Sequence, residues 1–365
     1  MMKTRIGFIG SGWRAHGYMR VIRELSARME VGGVLVHSAR SREQMEAEYP
    51  GRVYTQLEDF LKQPYDFVMV MTPGEKSLDY NRALMERGIP VLSETPPGKG
   101  VQELNECFRL KQKYHAKIQV TEQCHLRPYY QAVLNLVGSG RLGRIVSVDM
   151  GILHDYHAMS IIRKCMGLRF ENCEIRAREF YVPVHYHCGR EGLHAENAGN
   201  LKQDHLKRGD LVFETGQLAF YDFSDEQYFN YFRTRHLTVR GTLGEVANDN
   251  AAYLGPEGLP VTGRISRDAL GEYENLEGCG LRTLTLNGQC LYRNPYIGQD
   301  VRLNDDEIAM AGILDGMTAY VRGGEEIYPL EEALQDTYLH LMLDEAIRTG
   351  GTIRTQSQSW AGVLC

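Results

Sequence analysis

Six residues near the start of the chain, Gly10, Ser11, Gly12, Trp13, Arg14 and Ala15, follow the apolar run 5–9 and precede a helical mix over 16–29. A glycine at 10 permits a tight turn out of a strand. A glycine at 12 lets backbone approach a pyrophosphate, and Ala15 lets the next helix pack closely on the sheet. A helix starting there aims free N–H groups and its positive dipole end at phosphates. The pattern G-x-G-x-x-A fits a dinucleotide cradle, with a chance glycine-rich turn as the alternative that the surrounding elements decide. A second buried strand over 31–36 ends in His37-Ser38-Ala39-Arg40-Ser41-Arg42, with no acid before Glu43. Carboxylates at that position hydrogen-bond an adenosine ribose. The Ser38 hydroxyl and Arg40 instead suit a 2′-phosphate. The expected cofactor is therefore NAD or NADP with a lean to NADP, a solvated basic loop being the other reading.

The elements that position such a cradle continue along the chain. Strands are expected at 67–71, 89–92 and 117–120, with helices at about 76–87 and 101–114 between them. This alternation predicts an open, doubly wound parallel sheet. Ligands bind beyond the carboxyl ends of such strands. That rule gathers the cradle, Thr72, Pro73, Glu94, Thr95 and the segment 121–123 with Gln123 into one neighbourhood. Beyond Gln123 the pattern changes to a helix at about 129–137 and then long strands at 145–150, 173–187, 211–223, 228–240 and 281–292, as in a large, mainly antiparallel sheet. A final helix is expected over 329–349. The polar segment 189–209 is expected to be a loop, available as an active-site cover. The predicted domains are 1–123 and 124–365.

A chain of 365 residues accommodates two domains. A net charge of −6 with dispersed Lys and Arg disfavours nucleic acid. No apolar run approaches the ~20 residues of a membrane span, and strand signals begin at once, so a cytoplasmic protein without a membrane partner is expected. The eight cysteines include no C-x-x-C pair, and reduced thiols are the default.

The order of motifs resembles the Gfo/Idh/MocA family of nicotinamide-dependent oxidoreductases. Besides the cradle, the matching runs are Val70-Met71-Thr72-Pro73, Val91-Leu92-Ser93-Glu94-Thr95-Pro96, Gly140-Arg141-Leu142-Gly143-Arg144-Ile145 and Gly241-Thr242-Leu243-Gly244-Glu245. The resemblance implies an N-terminal Rossmann domain and a C-terminal α/β domain whose open sheet mediates a homodimer or homotetramer. It also implies hydride transfer to or from a sugar, polyol or sugar-derived substrate. Two positions depart from the family pattern. The lysine of its E-K-P motif is Thr95, which neither carries charge nor titrates near neutral pH, and the histidine after its T-P turn is replaced by Ser77.

The run 154–167 resembles the family's active-site helix. His157 falls on the catalytic histidine, Ser160 replaces an aspartate, and Asp155 lies two residues before His157. At 100° per residue, Ala158, Ile161, Ile162, Cys165 and Met166 form a buried stripe, and His157, Ser160 and Lys164 share a polar edge free to face a cleft. Imidazole is well matched to proton transfer near neutral pH, which makes His157 the expected proton acceptor, with Thr95 and Asp155 as companions. The alternative gives His157 a local hydrogen bond, with Asp155 as N-cap. Arg127, Tyr156, Lys164, His185 and His187 are the expected substrate contacts, His185 and His187 sharing one strand face. No zinc spacing is present, so no metal is expected. Two other functions remain open: a dinucleotide-binding sensor or complex subunit without turnover, and a lyase or hydrolase that uses bound NAD transiently.

Overall fold

The computed structural model describes residues 3–72, 75–189, 192–193, 199–271 and 278–362. Pro73 and His194 lie outside them. The N-terminal half alternates β1 (Thr4–Ile9), α1 (Trp13–Glu24), β2 (Met29–Leu35), α2 (Ala39–Glu48), β3 (Val53–Tyr54), α3 (Leu57–Leu61), β4 (Phe67–Val70), α4 (Glu75–Glu86), β5 (Val91–Ser93), α5 (Val101–Tyr114) and β6 (Ile118–Val120). Its six strands are parallel in the order β3-β2-β1-β4-β5-β6. Strand β4 shows why an all-apolar run folds this way. All four of its residues are fully buried, but Phe67 and Met69 join one core while Val68 and Val70 join the other. A strand covered by helices on both faces needs no polar alternation.

The rest of the chain comprises α6 (Pro128–Gly138), β7 (Ile145–Gly151), α7 (Asp155–Met166), β8 (Cys173–His185), the short β9 (Cys188–Gly189) and β10 (Gly192–Leu193), β11 (Leu201–Phe213), β12 (Leu218–Ser224), β13 (His236–Gly241), β14 (Gly244–Ala247), β15 (Asn250–Leu254), β16 (Pro260–Ala269), β17 (Leu281–Leu286), β18 (Gln289–Arg293), α8 (Asp305–Val321), α9 (Leu330–Thr349) and β19 (Thr352–Arg354). Eleven strands form one sheet, β18-β17-β16-β15-β14-β13-β7-β12-β11-β8-β19, antiparallel except where β7 meets β12. The two halves share packing. Leu330, Ala333, Leu334 and Tyr338 of α9, with Trp360, enter the second Rossmann core, and α8 lies against α1.

Several expected boundaries are corrected. Helix α1 starts at Trp13 and stops at Glu24, because Met29 already pairs with Thr4. The 189–209 segment is not a loop throughout: Leu201 to Gly209 run in register with His185 to Ala177. Its polar residues deceive because much of that ladder is solvated on both faces, which removes the apolar alternation from the sequence. The run 211–223 breaks into a hairpin around Gly216 (φ +82°), and 228–235 is not strand. Strand β8 ends at His185, so His187 is not on a shared strand face with it.

Candidate active site

The cradle is built as its spacing predicts. Gly10 has φ +101°, and a Cβ there would lie 2.7 Å from the Met71 carbonyl oxygen, so conformation and space both require glycine. Gly12, the N-cap of α1, faces open space, with nothing within 4 Å of where its Cβ would be. No side chain caps α1 and no acid stands in its first turn, which leaves its leading N–H groups available to an anion. Ala15 is fully buried behind them. Ser11 is half-buried beside the turn, and Trp13 is exposed with the Arg14 guanidinium 4.7 Å from its ring centre.

Arg14 reaches Asp306 at 3.2 Å and Glu94 at 4.0 Å. Asp306, in the first turn of α8, also takes a two-pronged bond from Arg127 at 2.9 and 2.7 Å. Arg14 and Arg127, two of the arginines assigned to ligands from the sequence, are thus held by one acid, Asp306, that the sequence did not point to. With its amide turned to suit both neighbours, Gln123 accepts from Arg14 at 3.3 Å. Glu94 accepts from Thr121 Oγ1 at 2.9 Å, and burial pushes its carboxyl up to about 7 against the pull of Arg14 and that bond. Thr72 is buried with its Oγ1 3.3 Å from Ser77 Oγ. Ser38 is the N-cap of α2 and accepts from the Ser41 N–H at 3.0 Å, while Arg40 is exposed in that helix's first turn.

Across this neighbourhood stands α7. Its stripe of Ala158, Ile161, Ile162, Cys165 and Met166 is buried as predicted. The polar edge is not open. Ser160 is fully buried and accepts from Tyr328 OH at 2.9 Å, and Lys164 Nζ sits 4.9 Å from the Tyr328 ring centre with its pKa lowered by burial. His157, 7% exposed, is hydrogen-bonded through Nδ1 to Glu122 Oε2, and Glu122 is itself 2% exposed. An ionised carboxylate can only accept, so Nδ1 carries the proton and Nε2 is left with its lone pair. Burial lowers the His157 pKa while Glu122 opposes it. For Glu122, burial acts upward but is outweighed by His157, and the carboxylate stays below its ordinary value. The Tyr156 ring lies 4.5 Å from that of His157, and its hydroxyl points to the Thr95 carbonyl oxygen at 3.5 Å. This contact ties the half-buried Thr95 to the histidine's helix.

Asp155 is not the N-cap; His154 is, and Asp155 follows in a left-handed conformation (φ +48°). Its carboxylate meets His154 Nδ1 at 3.2 Å, His340 Nδ1 at 3.5 Å and Lys207 Nζ at 3.8 Å. Burial alone would raise its pKa, but these groups hold it below the usual carboxylate range. His340 and Lys207 come from α9 and β11, too distant in sequence to be read from it. Glu122 was more accessible: an acid just past the end of β6 stands within the strand-end neighbourhood. His185 and His187 belong elsewhere. His187 packs on Phe232 and Tyr231, with ring centres 4.6 and 5.8 Å away, in an aromatic group separate from His157.

Comparison with known proteins agrees with this fold. Residues 4–122 match the family described as "Oxidoreductase family, NAD-binding Rossmann fold", Gfo/Idh/MocA. The rhizopine catabolism protein MocA of Rhizobium meliloti is 24% identical over 150 residues, 41% of this chain; the match spans about half the length of that relative (47%). An oxidoreductase from Agrobacterium radiobacter superimposes with a TM-score of 0.71 at 15% identity, covering 96% of this chain and 98% of that one. A myo-inositol dehydrogenase from Corynebacterium glutamicum gives 0.67 at 16% identity, covering 98% and 100%. At these identities the structural matches establish the fold of both halves. No described helix is long and apolar enough to cross a membrane. Residues 4–122 match the NAD-binding Rossmann domain of the Gfo/Idh/MocA oxidoreductase family, and both halves have the fold seen in those solved oxidoreductases.

Proposed function

We propose that the protein is a nicotinamide-dependent oxidoreductase acting on a CH–OH group of a sugar, polyol or sugar-derived acid. The observation that carries the reading is the Glu122–His157 pair beyond the carboxyl end of β6, in the same strand-end neighbourhood as the uncapped N-terminus of α1. A dinucleotide fits that cradle. Gly10, Ser11, Gly12 and the first turn of α1 would hold its pyrophosphate, and Thr72, Glu94, Thr95 and Gln123 would line its nicotinamide half. When bound, it supplies the hydride acceptor or donor. The chain's own part is proton handling. His157 Nε2 takes the substrate hydroxyl proton as the C–H bond is broken, and Glu122 stabilises the imidazolium through Nδ1. Tyr156 and the Asp155–His340–Lys207 group border the histidine and offer donors to substrate hydroxyls. Because this pair can accept the proton without a lysine at 95, Thr95 does not preclude turnover.

Relatives of the same fold support the substrate class: one was crystallised with NAD+ and L-tartaric acid and another is a myo-inositol dehydrogenase. No acid stands between the end of β2 and Glu43 to repel a 2′-phosphate, so NADP is expected to bind at least as well as NAD, with Arg40→Ala abolishing any preference. We place residues 1–123 in the cofactor domain and 124–365 in the substrate domain. The seven described cysteines are free, which suits a cytoplasmic location. Self-association is assigned to the outer face of the large sheet. A groove of about 870 Å³ there carries Arg176, Arg178 and Arg208 beside Asp149, Asp210 and Asp222, charges that a second copy can complement.

The test is a calorimetric titration with NAD, NADP and their reduced forms, followed by a polyol and sugar-acid screen that reads the reduced dinucleotide. Binding with turnover supports the reading. Binding without turnover on any of them favours a sensor or subunit, and tightly held cofactor recycled during a net elimination favours a lyase.

A further inference from the structure

The pair that handles the proton has a third neighbour that the proposed reaction does not use. Cys124 opens the 3₁₀ turn after β6, is 2% exposed, and its backbone N–H donates to Glu122 Oε1 at 3.1 Å. One ligand atom each from Glu122, Cys124 and His157 falls within 4.8 Å of the other two, and all three residues are buried. Among the described residues no Lys or Arg forms an ion pair with Glu122, whose buried carboxylate is hydrogen-bonded to the His157 imidazole and to that N–H. A thiol, an imidazole and a carboxylate brought this close together form a donor set for a borderline-soft divalent ion. Zinc takes S, N and O ligands at about 2.0–2.3 Å in tetrahedral geometry.

We infer that Glu122, Cys124 and His157 form a binding site for a zinc-class divalent cation, and that occupancy switches the proton-accepting histidine off. On binding, the thiol releases its proton to solvent and coordinates as thiolate. The metal replaces the hydrogen bond between Nδ1 and Glu122. The imidazole keeps its one proton, now on Nε2, so the nitrogen facing substrate becomes a donor and cannot accept the hydroxyl proton. The site stands on the geometry alone. Only its consequence for turnover rests on the oxidoreductase reading.

The experiment is a titration of the full-length protein, freed of metal by chelator, with Co2+ alone and then with Zn2+. Expected are one Co2+ per chain, a near-ultraviolet cobalt–thiolate charge-transfer band, and loss of that band as Zn2+ displaces Co2+. Cys124→Ala should abolish the band and weaken binding by at least about tenfold. Should that variant not fold, Glu122→Gln is read instead: it keeps the thiol but weakens Co2+ by a similar factor. Absence of binding, or a band that persists unchanged in Cys124→Ala and so reports another cysteine, overturns the inference. If Zn2+ binds through Cys124 but no dinucleotide does, the metal site stands and the oxidoreductase reading falls. If a substrate is turned over and Zn2+ neither binds nor inhibits, the reverse holds.

Discussion

The cradle and the Glu122–His157 pair lie in one neighbourhood but are made in opposite ways. The cradle is local. Six consecutive residues supply the turn, the close approach and the helix end, and three of them act through backbone freedom or small size: Gly10 by its φ of +101°, Gly12 by open space, Ala15 by its lack of bulk. The Glu122–His157 pair is a product of packing. Glu122 hangs from the end of a parallel strand, His157 from a helix of the other half, and they bond across 35 residues of sequence in a site almost closed to water. Backbone sites are specified by short motifs, whereas side-chain pairs are specified by whichever surfaces the fold brings together.

This contrast is sharpest under mutation. The largest effect is expected at the pair: His157→Ala should cut turnover about 10²–10⁴-fold with dinucleotide affinity unchanged, measured by steady-state kinetics on the substrate found by screening and by calorimetry. Equal losses in both would show that the two regions are not separable. At the cradle, Gly10→Ala should do the converse. It should weaken dinucleotide binding and destabilise the fold by about 3 kcal/mol, since the left-handed backbone and a Cβ against Met71 O both oppose it. Chemical denaturation reads this, and an unchanged midpoint would mean that the turn relaxes.

Asp306 connects the regions, and Asp306→Ala removes the carboxylate that Arg14 and Arg127 share. A loss of about 2 kcal/mol is expected in thermal or urea unfolding. The loss should shrink in an Arg127→Met background, where the remaining cation, Arg14, still has Glu94 and Gln123 beside it.

The smallest effect is a pH slope. Glu94 has an ordinary pKa of 4.5 raised to about 7 in the fold, so the folded state binds this proton more tightly than the unfolded state. Its contribution to stability is fully present below pH 4.5 and is lost as pH rises through 7. Glu94→Gln, neutral throughout, should flatten the stability profile between pH 5 and 8 by about 1–2 kcal/mol. A parallel profile in the variant would assign the slope to another group, such as Asp336, raised to about 6 by burial.

The sequence alone carried the parallel sheet, the cradle, the long helices α5 and α9 within a residue or two, and the buried stripe of α7. All of these depend on short-range periodicity or on glycine backbone freedom, which are properties of neighbouring residues. It also pointed to His157, although through the resemblance of a helix rather than through a partner. It did not reveal that His157 is paired with Glu122, that Arg14 and Arg127 share Asp306, or that Asp155 is held by His340 and Lys207. Nor did it find the strand at 201–209, whose residues lack apolar alternation because the ladder with β8 is largely exposed to water. Those features were decided by tertiary structure, because a hydrogen bond or ion pair needs two groups within about 3 Å, and only the fold, which sets α7 and α8 against the turn after β6 and α9 and β11 beside α7, brings these groups that close.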